Sequence, residues 1–194
     1  GLSIISPNGT ITNITKNEEI QNDYIMCIHE DKDGSVWVGT DGGGIFVIKD
    51  KQVVKKITKD DILSGNVIFK ILNLRDDELW ICTGTGLSIY KNDQIFSFSS
   101  VSGLGYDSVF QVILDYTQKI WFTTNQGIFN LKLSEIDEVM AGTKNYVNPK
   151  FFTRQDGIDS GGVTSTSLSM KDNLGRIWFT LIDGFTIFDP VRNE

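Results

Sequence analysis

The chain has 194 residues, 40% of them hydrophobic and 22% charged, with a formal net charge of −7 and a pI near 4.7. That balance is one of a folded chain, and an acidic surface argues against a nucleic-acid backbone or an anionic membrane as partner. No apolar run approaches the roughly 18 residues of a membrane span, so no direct membrane insertion by this segment is expected.

Taken in order, the chain opens on two short strand patterns, Gly1–Ile5 and Thr10–Thr15, which match the outer strands of a repeated unit. The unit itself first appears whole at Asp31–Ile48: a polar turn, a strand holding Trp37, a glycine turn ending at Gly44, and a second strand. It returns around Trp80 with Gly86, Trp121 with Gly127, and Trp178 with Gly184, so all four tryptophans occupy one position. They are 43, 41 and 57 residues apart. A strand-rich period of about 40–45 residues is the mark of a propeller blade, which holds four antiparallel strands. Within each unit the strands are named a to d from the innermost outward. Strand a is expected at Tyr24–His29, Val67–Leu72, Val109–Leu114 and Val163–Met170. Strand b carries the tryptophan, strand c follows the glycine, and strand d is expected at Val53–Thr58, Gln94–Ser99 and Lys150–Thr153. The tryptophans are read as packing between blades, and the four glycines as turn geometry.

The reading is therefore an all-β propeller segment of about four blades: residues 22–58, 64–99, 106–154 and 161–190, with 1–15 as outer strands of a partial or closing blade. The long third interval carries its extra length at Ser134–Pro149. There Ser134, Glu135 and Asp137 resemble a helix start, so one short helical insertion is expected near 134–142. The last blade lacks a strand d after Asp189-Pro190. Propellers close at about four to eight blades. Thr10–Thr15 could supply the missing strand, a second copy could pair with the chain as a homodimer, or the remaining blades could lie in the same polypeptide. The last is favoured.

The recurring phrase resembles the two-component-regulator propeller repeat, through Glu30-Asp31, Gly34, Trp37, Gly39-Thr40 and Gly42-Gly43-Gly44. The second copy keeps Trp80, Thr83 and Gly86, and the third keeps Trp121, Thr123 and Gly127. The last unit, with Phe151-Phe152, Asp156-Gly157-Ile158 and Gly175 through Asp189-Pro190, resembles the blade that ends such propellers. The resemblance implies the C-terminal portion of an extracytoplasmic sensor in a membrane-anchored histidine kinase, hybrid two-component system or diguanylate cyclase. Any kinase or cyclase activity would lie in another domain.

No catalytic set stands out. His29 is the only histidine and reads as a turn or surface residue, which argues against the weakest alternative, a propeller lyase or hydrolase. Cys27 and Cys82 sit in apolar strand patterns and have no metal or redox spacing. Asp31, Asp33 and Gly34 match only part of a calcium loop, so neither a metal nor a cofactor is expected. Better candidates lie on the loops that surround one end of a propeller channel. The b–c turns offer Asp41, Thr85, Asn125, Gln126 and Asp183; the d–a loops offer Asn22, Tyr24, Asn66, Tyr106, Asp107, Asp159 and Ser160. Aromatic rings beside amides and carboxylates suit a small polar ligand such as an oligosaccharide. Thr164 and Thr166 join them because the last strand a is unusually rich in hydroxyls. The function expected is non-catalytic ligand sensing, with a scaffold for protein–protein contact or sensor dimerisation as the alternative.

Overall fold

A computed structural model describes residues 1–14, 20, 22–158, 162–165 and 168–191. A two-stranded hairpin comes first, β1 (Leu2–Ile5) and β2 (Ile11–Ile14). Two four-stranded antiparallel sheets follow. One holds β3 (Ile25–Glu30), β4 (Val36–Thr40), β5 (Ile45–Lys49) and β6 (Gln52–Ile57). The other holds β7 (Ile68–Arg75), β8 (Glu78–Thr83), β9 (Gly86–Lys91) and β10 (Gln94–Phe98). The third has β11 (Val109–Leu114), β12 (Lys119–Thr124), β13 (Gly127–Lys132) and β14 (Lys150–Phe152). The last has three strands, β15 (Met170–Lys171), β16 (Ile177–Leu181) and β17 (Gly184–Phe188). Each sheet pairs its strands in chain order, so each is a meander.

Local chemistry accounts for these elements. β-branched and aromatic residues crowd the strands, and the tight reversals fall where the backbone turns left-handed. The turn between β5 and β6 places Asp50 and Lys51 at φ 51° and 66°, and that between β9 and β10 places Asn92 and Asp93 at 49° and 61°. Positive φ at both central residues is the geometry that matches the twist of paired strands.

The chain divides into two compact units. One is Gly1–Gly84 with Ser88–Ser97; the other is Thr85–Leu87 with Phe98–Glu194. In the first unit, the β1–β2 hairpin packs Leu2, Ile4 and Ile14 against Val38, Phe46 and Ile48 of the first blade. The opposite face of that blade buries Trp37, Ile45 and Val47 against Ile68, Ile71, Leu79 and Ile81 of the second. In the second unit, Trp121 fills the seam between third and last blades. Its ring lies 4.9 Å from Phe152, 5.5 Å from Phe179 and 4.4 Å from Phe188. Burying an Ile or Phe side chain contributes about 1.5–3 kcal/mol, so these seams hold the blades together. Trp80 is fully buried as well, while Trp178 is half-buried and stacks on the exposed Phe185 at 5.5 Å.

Two expectations need correction. The helix, α1, spans Leu133–Met140 and starts from Lys132 with no side-chain cap, so Ser134 lies inside it rather than opening it. Burial of Leu133 and Ile136 fixes that start. The last inner strand is also far shorter than Val163–Met170. Among the described residues only Met170–Lys171 pairs with β16, and Thr164 is exposed outside any strand. Hydroxyl-bearing side chains have little apolar surface to bury, so that stretch gains less from packing as an inner strand. Thr166 lies outside the described residues.

Candidate functional site

The first, second and last blades each present the b–c turn beside the residues that enter strand a, and backbone hydrogen bonds tie the two. In the first unit, the Asp41 N–H donates to the Tyr24 carbonyl at 3.0 Å. The N–H groups of Gly42 and Gly44 both donate to the Asn66 carbonyl, at 3.1 and 3.0 Å, and Asp41 forms an isolated bridge with Val67. The Gly84 N–H donates to Val67 in the equivalent place. In the second unit, the Val163 N–H donates to Thr124 and the Ile182 N–H to Gly162. One tie therefore recurs: the loop entering a blade is stitched to b–c turns on either side of it.

Side chains brace the same turns. The Thr40 hydroxyl donates to the Gly44 carbonyl at 2.8 Å and accepts from the Gly43 N–H at 2.9 Å. Gly44 sits at φ 78°, where a Cβ would come 2.3 Å from the Ile57 carbonyl oxygen. In the third blade Thr124, not Thr123, repeats the Thr40 arrangement, donating to Gly127 at 2.8 Å and accepting from the Gln126 N–H. Thr124 lies three residues past its tryptophan, as Thr40 does.

The d–a loops share a second recurring feature that the sequence reading did not single out. Thr58–Asp61, Ser99–Ser102 and Thr153–Asp156 each form a short 3₁₀ turn at the exit of strand d. The Asp61 carboxylate accepts from the Thr58 N–H at 2.9 Å, and Asp156 does the same for Thr153. A left-handed residue follows, Ile62 at φ 76°, Gly103 at 85° and Gly157 at 86°, and then a buried Leu63, Leu104 or Ile158. The signal is a hydroxyl residue, then an oxygen acceptor three positions on, then an aliphatic anchor.

These ties sort the expected site residues. Tyr24, Asn22, Asp41 and Asn66 come together in the first unit. The Asn22 amide donates to the Asp41 carbonyl and its oxygen accepts from the Tyr24 N–H at 2.9 Å. The Asn66 oxygen accepts from the Lys59 N–H at 2.7 Å. Asn22 and Asn66 thus build the loops, while the Asp41 side chain and the Tyr24 ring, 66% exposed, project from them. Beside them lies a polar depression of about 430 Å³, lined by Gly42, Gly43, Lys56, Thr58, Asp60 and Asn66 among others. Thr85 is exposed on the b–c turn of the second blade. In the second unit Asn125, Gln126, Asp107 and Asp183 are exposed. Tyr106 is spent on packing: its ring meets Phe151 at 4.9 Å and Phe129 at 6.1 Å. Asp159 and Ser160 lie outside the described residues.

The arrangement presents a carboxylate, a phenol ring and a backbone held by hydrogen bonds, and among the described residues no nucleophile is in contact with a base there. His29 Nε2 instead meets the Asn73 side-chain oxygen at 2.7 Å. Asp33 accepts from Ser35 and pairs with Lys49 at 2.8 Å, which holds its carboxyl far below the usual carboxylate range. Cys27 and Cys82 are not bridged by a disulfide. Burial pushes the Cys27 thiol up to about 11, so it is an inert neighbour of the first seam rather than a nucleophile.

A family described as the two component regulator propeller matches residues 19–42, the stretch holding Glu30-Asp31, Gly34, Trp37 and Gly39-Thr40. No curated protein matches the chain. Among solved structures, the extracellular domain of BT3049 from B. thetaiotaomicron, assigned to the hybrid two component systems, superposes with a TM-score of 0.75 at 24% identity. It covers 93% of this chain and 24% of that one. The extracellular domain of BT4673 from the same organism, likewise assigned, gives a TM-score of 0.71 at 20% identity, covering 89% and 24%. PorZ, described as an essential bacterial surface component of the type-IX secretion system of Porphyromonas gingivalis, gives 0.60 at 14%, covering 96% and 31%. The chain thus spans about a quarter of the length of the first two.

Proposed function

We propose that this chain, a β-propeller segment carrying the two-component regulator repeat, is part of the extracytoplasmic sensing region of a membrane-anchored signalling protein and binds a small polar ligand without transforming it. An oligosaccharide is the ligand class that suits it best. The observation that carries the reading is the pairing of Tyr24 and Asp41. Both side chains are exposed, and both stand on backbone fixed by the Asp41–Tyr24 and Gly42–Asn66 hydrogen bonds. A pre-ordered aromatic face beside a carboxylate binds a sugar ring at little ordering cost. Ligand binding that favours one arrangement of the protein would then bias an output module elsewhere in the polypeptide.

A thermal-shift screen over neutral oligosaccharides tests this. A ligand is expected to raise the melting temperature, and Tyr24→Ala and Asp41→Asn are each expected to abolish the shift. A shift that survives both variants would move the site elsewhere, and the absence of any hit would remove the carbohydrate assignment.

A second reading rests on the last blade. Leu168, Met170, Phe185 and Ile187 are exposed, and among the described residues β17 pairs only with β16. An apolar face beside an open strand edge is a surface for other protein. The remaining blades of the same polypeptide are the favoured cover, since the solved neighbours are about four times as long; a second copy is the alternative. Light scattering distinguishes them: a dimer that survives in the full-length protein would favour the second copy.

A further inference from the structure

A groove of about 750 Å³ opens beside α1, the helix that interrupts the third blade. Its charge is unlike that of the chain. Lys119, Lys132, Lys144 and Lys150 line it against only Glu135 and Glu138, in a protein with a net charge of −7. The sheet register concentrates that charge. Lys119 is directly opposite Lys132 across β12 and β13, and Lys150 is directly opposite Asn130 across β13 and β14. Trp121 is the partner of Asn130, so these residues share one face of the sheet.

Like charges directly opposite each other disfavour a strand pair. The neighbouring acids do not relieve this one. Glu138 pairs with Lys144 at 2.7 Å, and Glu135 accepts from the Asn148 N–H at 2.9 Å. Lys150 lies 5.0 Å over the Phe152 ring. Among the described residues, Lys119 and Lys132 have no carboxylate partner. The second observation is Asn130. Its side chain lines the groove, is only 6% exposed, and makes no hydrogen bond among the described residues. Its amide is not sealed from the groove but reaches it, so it is open to a ligand's hydroxyl there. The first turn of α1, at Ser134 and Glu135, opens on the same groove with no side-chain cap, and helix N-termini favour negative charge. The exposed ring of Tyr146 lines the groove as well.

We infer that this groove is a binding site for a small anion that also carries hydroxyl groups, such as an acidic or sulfated sugar. Its carboxylate or sulfate lies against the Lys119–Lys132 pair, a hydroxyl meets the Asn130 amide, and its ring lies against Tyr146. The site shares no residue with the Tyr24–Asp41 loops and does not depend on the reading given to them.

Calorimetric titration of the protein at low salt with glucuronate, glucose 6-sulfate, glucose and inorganic sulfate provides the test. At least one of the two sugar anions is expected to bind, with glucose and inorganic sulfate each weaker by about tenfold or more. Which sugar anion binds assigns carboxylate or sulfate as the recognised group. The double substitution Lys119→Gln/Lys132→Gln is expected to weaken anion binding by about tenfold without lowering the melting temperature, because it removes two like charges rather than a packed side chain. Tyr24→Ala is expected to leave this binding unchanged. The inference is overturned if neither sugar anion binds, if glucose or inorganic sulfate binds as well as they do, or if the double variant binds them as tightly as the parent.

Discussion

The indole N–H of Trp178 donates to Oδ2 of Asp172 at 2.9 Å, linking the repeat's tryptophan to the first residue of the polar turn before it. The same carboxylate accepts from the N–H groups of Leu174 and Arg176 and from the Arg176 guanidinium. Trp121 makes the equivalent bond to Asp115 at 2.7 Å. In the second blade Leu74 occupies that position, and Glu78 reaches the Trp80 indole from two residues away instead. Burial pushes the Glu78 carboxyl up, yet Arg75, Lys91 and the indole together hold it below its ordinary value. Trp37 alone among the four has an indole N–H that is buried with no partner among the described residues.

The Asp172 bond is expected to make the last blade acid-sensitive. The Trp178 indole, followed by Arg176 and the turn N–H groups, draws the Asp172 carboxyl down to about 2. A carboxyl whose folded value is depressed stabilises the fold above its unfolded value and loses that contribution as pH falls through the folded one. Asp172→Asn is therefore expected to melt below the parent at neutral pH, with the gap closing between about pH 4 and pH 2. Melting curves across that range check it; a gap independent of pH would exclude the charge as the cause.

Asp115 is 2% exposed and accepts from the Thr117 N–H and hydroxyl, the Lys119 N–H and the Trp121 indole. Asp115→Ala leaves all of these donors unmatched and is expected to cost about 3 kcal/mol in denaturant unfolding. By the same logic, Trp37→Phe removes an unpaired donor whereas Trp121→Phe breaks a bond. The first is expected to be the milder change by about 1 kcal/mol.

Gly39 is in strand b, not in a turn, and its role is close approach. A Cβ there would lie 2.6 Å from Cys27 Sγ on the adjacent strand of the same blade and 2.6 Å from Ile68 Cγ2 across the seam with the second blade. Gly39→Ala is expected to destabilise by about 1–3 kcal/mol through overpacking. Adding Cys27→Ala should recover part of that loss, which a double-mutant cycle in denaturant would measure.

Ile62 holds a left-handed backbone conformation at φ 76° where the other blades have Gly103 and Gly157, and its side chain is largely exposed. A β-branched residue is strained there. Ile62→Gly is expected to stabilise the protein by about 1 kcal/mol, seen as a higher denaturation midpoint at unchanged slope.

Much of the fold was legible in the sequence because its signals are local. Alternating apolar residues between Gly, Asp and Asn turns place most strands to within a residue or two, and the spacing of Trp37, Trp80, Trp121 and Trp178 marks the blades. The last inner strand reads as overlong because Val163 and Leu168 mimic a strand pattern, whereas Thr164 is exposed outside any strand. The candidate site was legible only as a set of loops. That Asn66 and Tyr106 are used in holding those loops, while Tyr24 and Asp41 project from them, depends on bonds between segments distant in the chain.

The sequence by itself determined the repeat, the strand order and the position of each indole, since period and turn chemistry act over a few residues. Only the tertiary structure decided which carboxylate serves the indoles of Trp80, Trp121 and Trp178, why Gly39 has no side chain, and that Lys119 and Lys132 stand opposite each other above Asn130. Those facts follow from strand register and from the close approach of neighbouring blades, where a shift of one residue would turn every side chain to the other face.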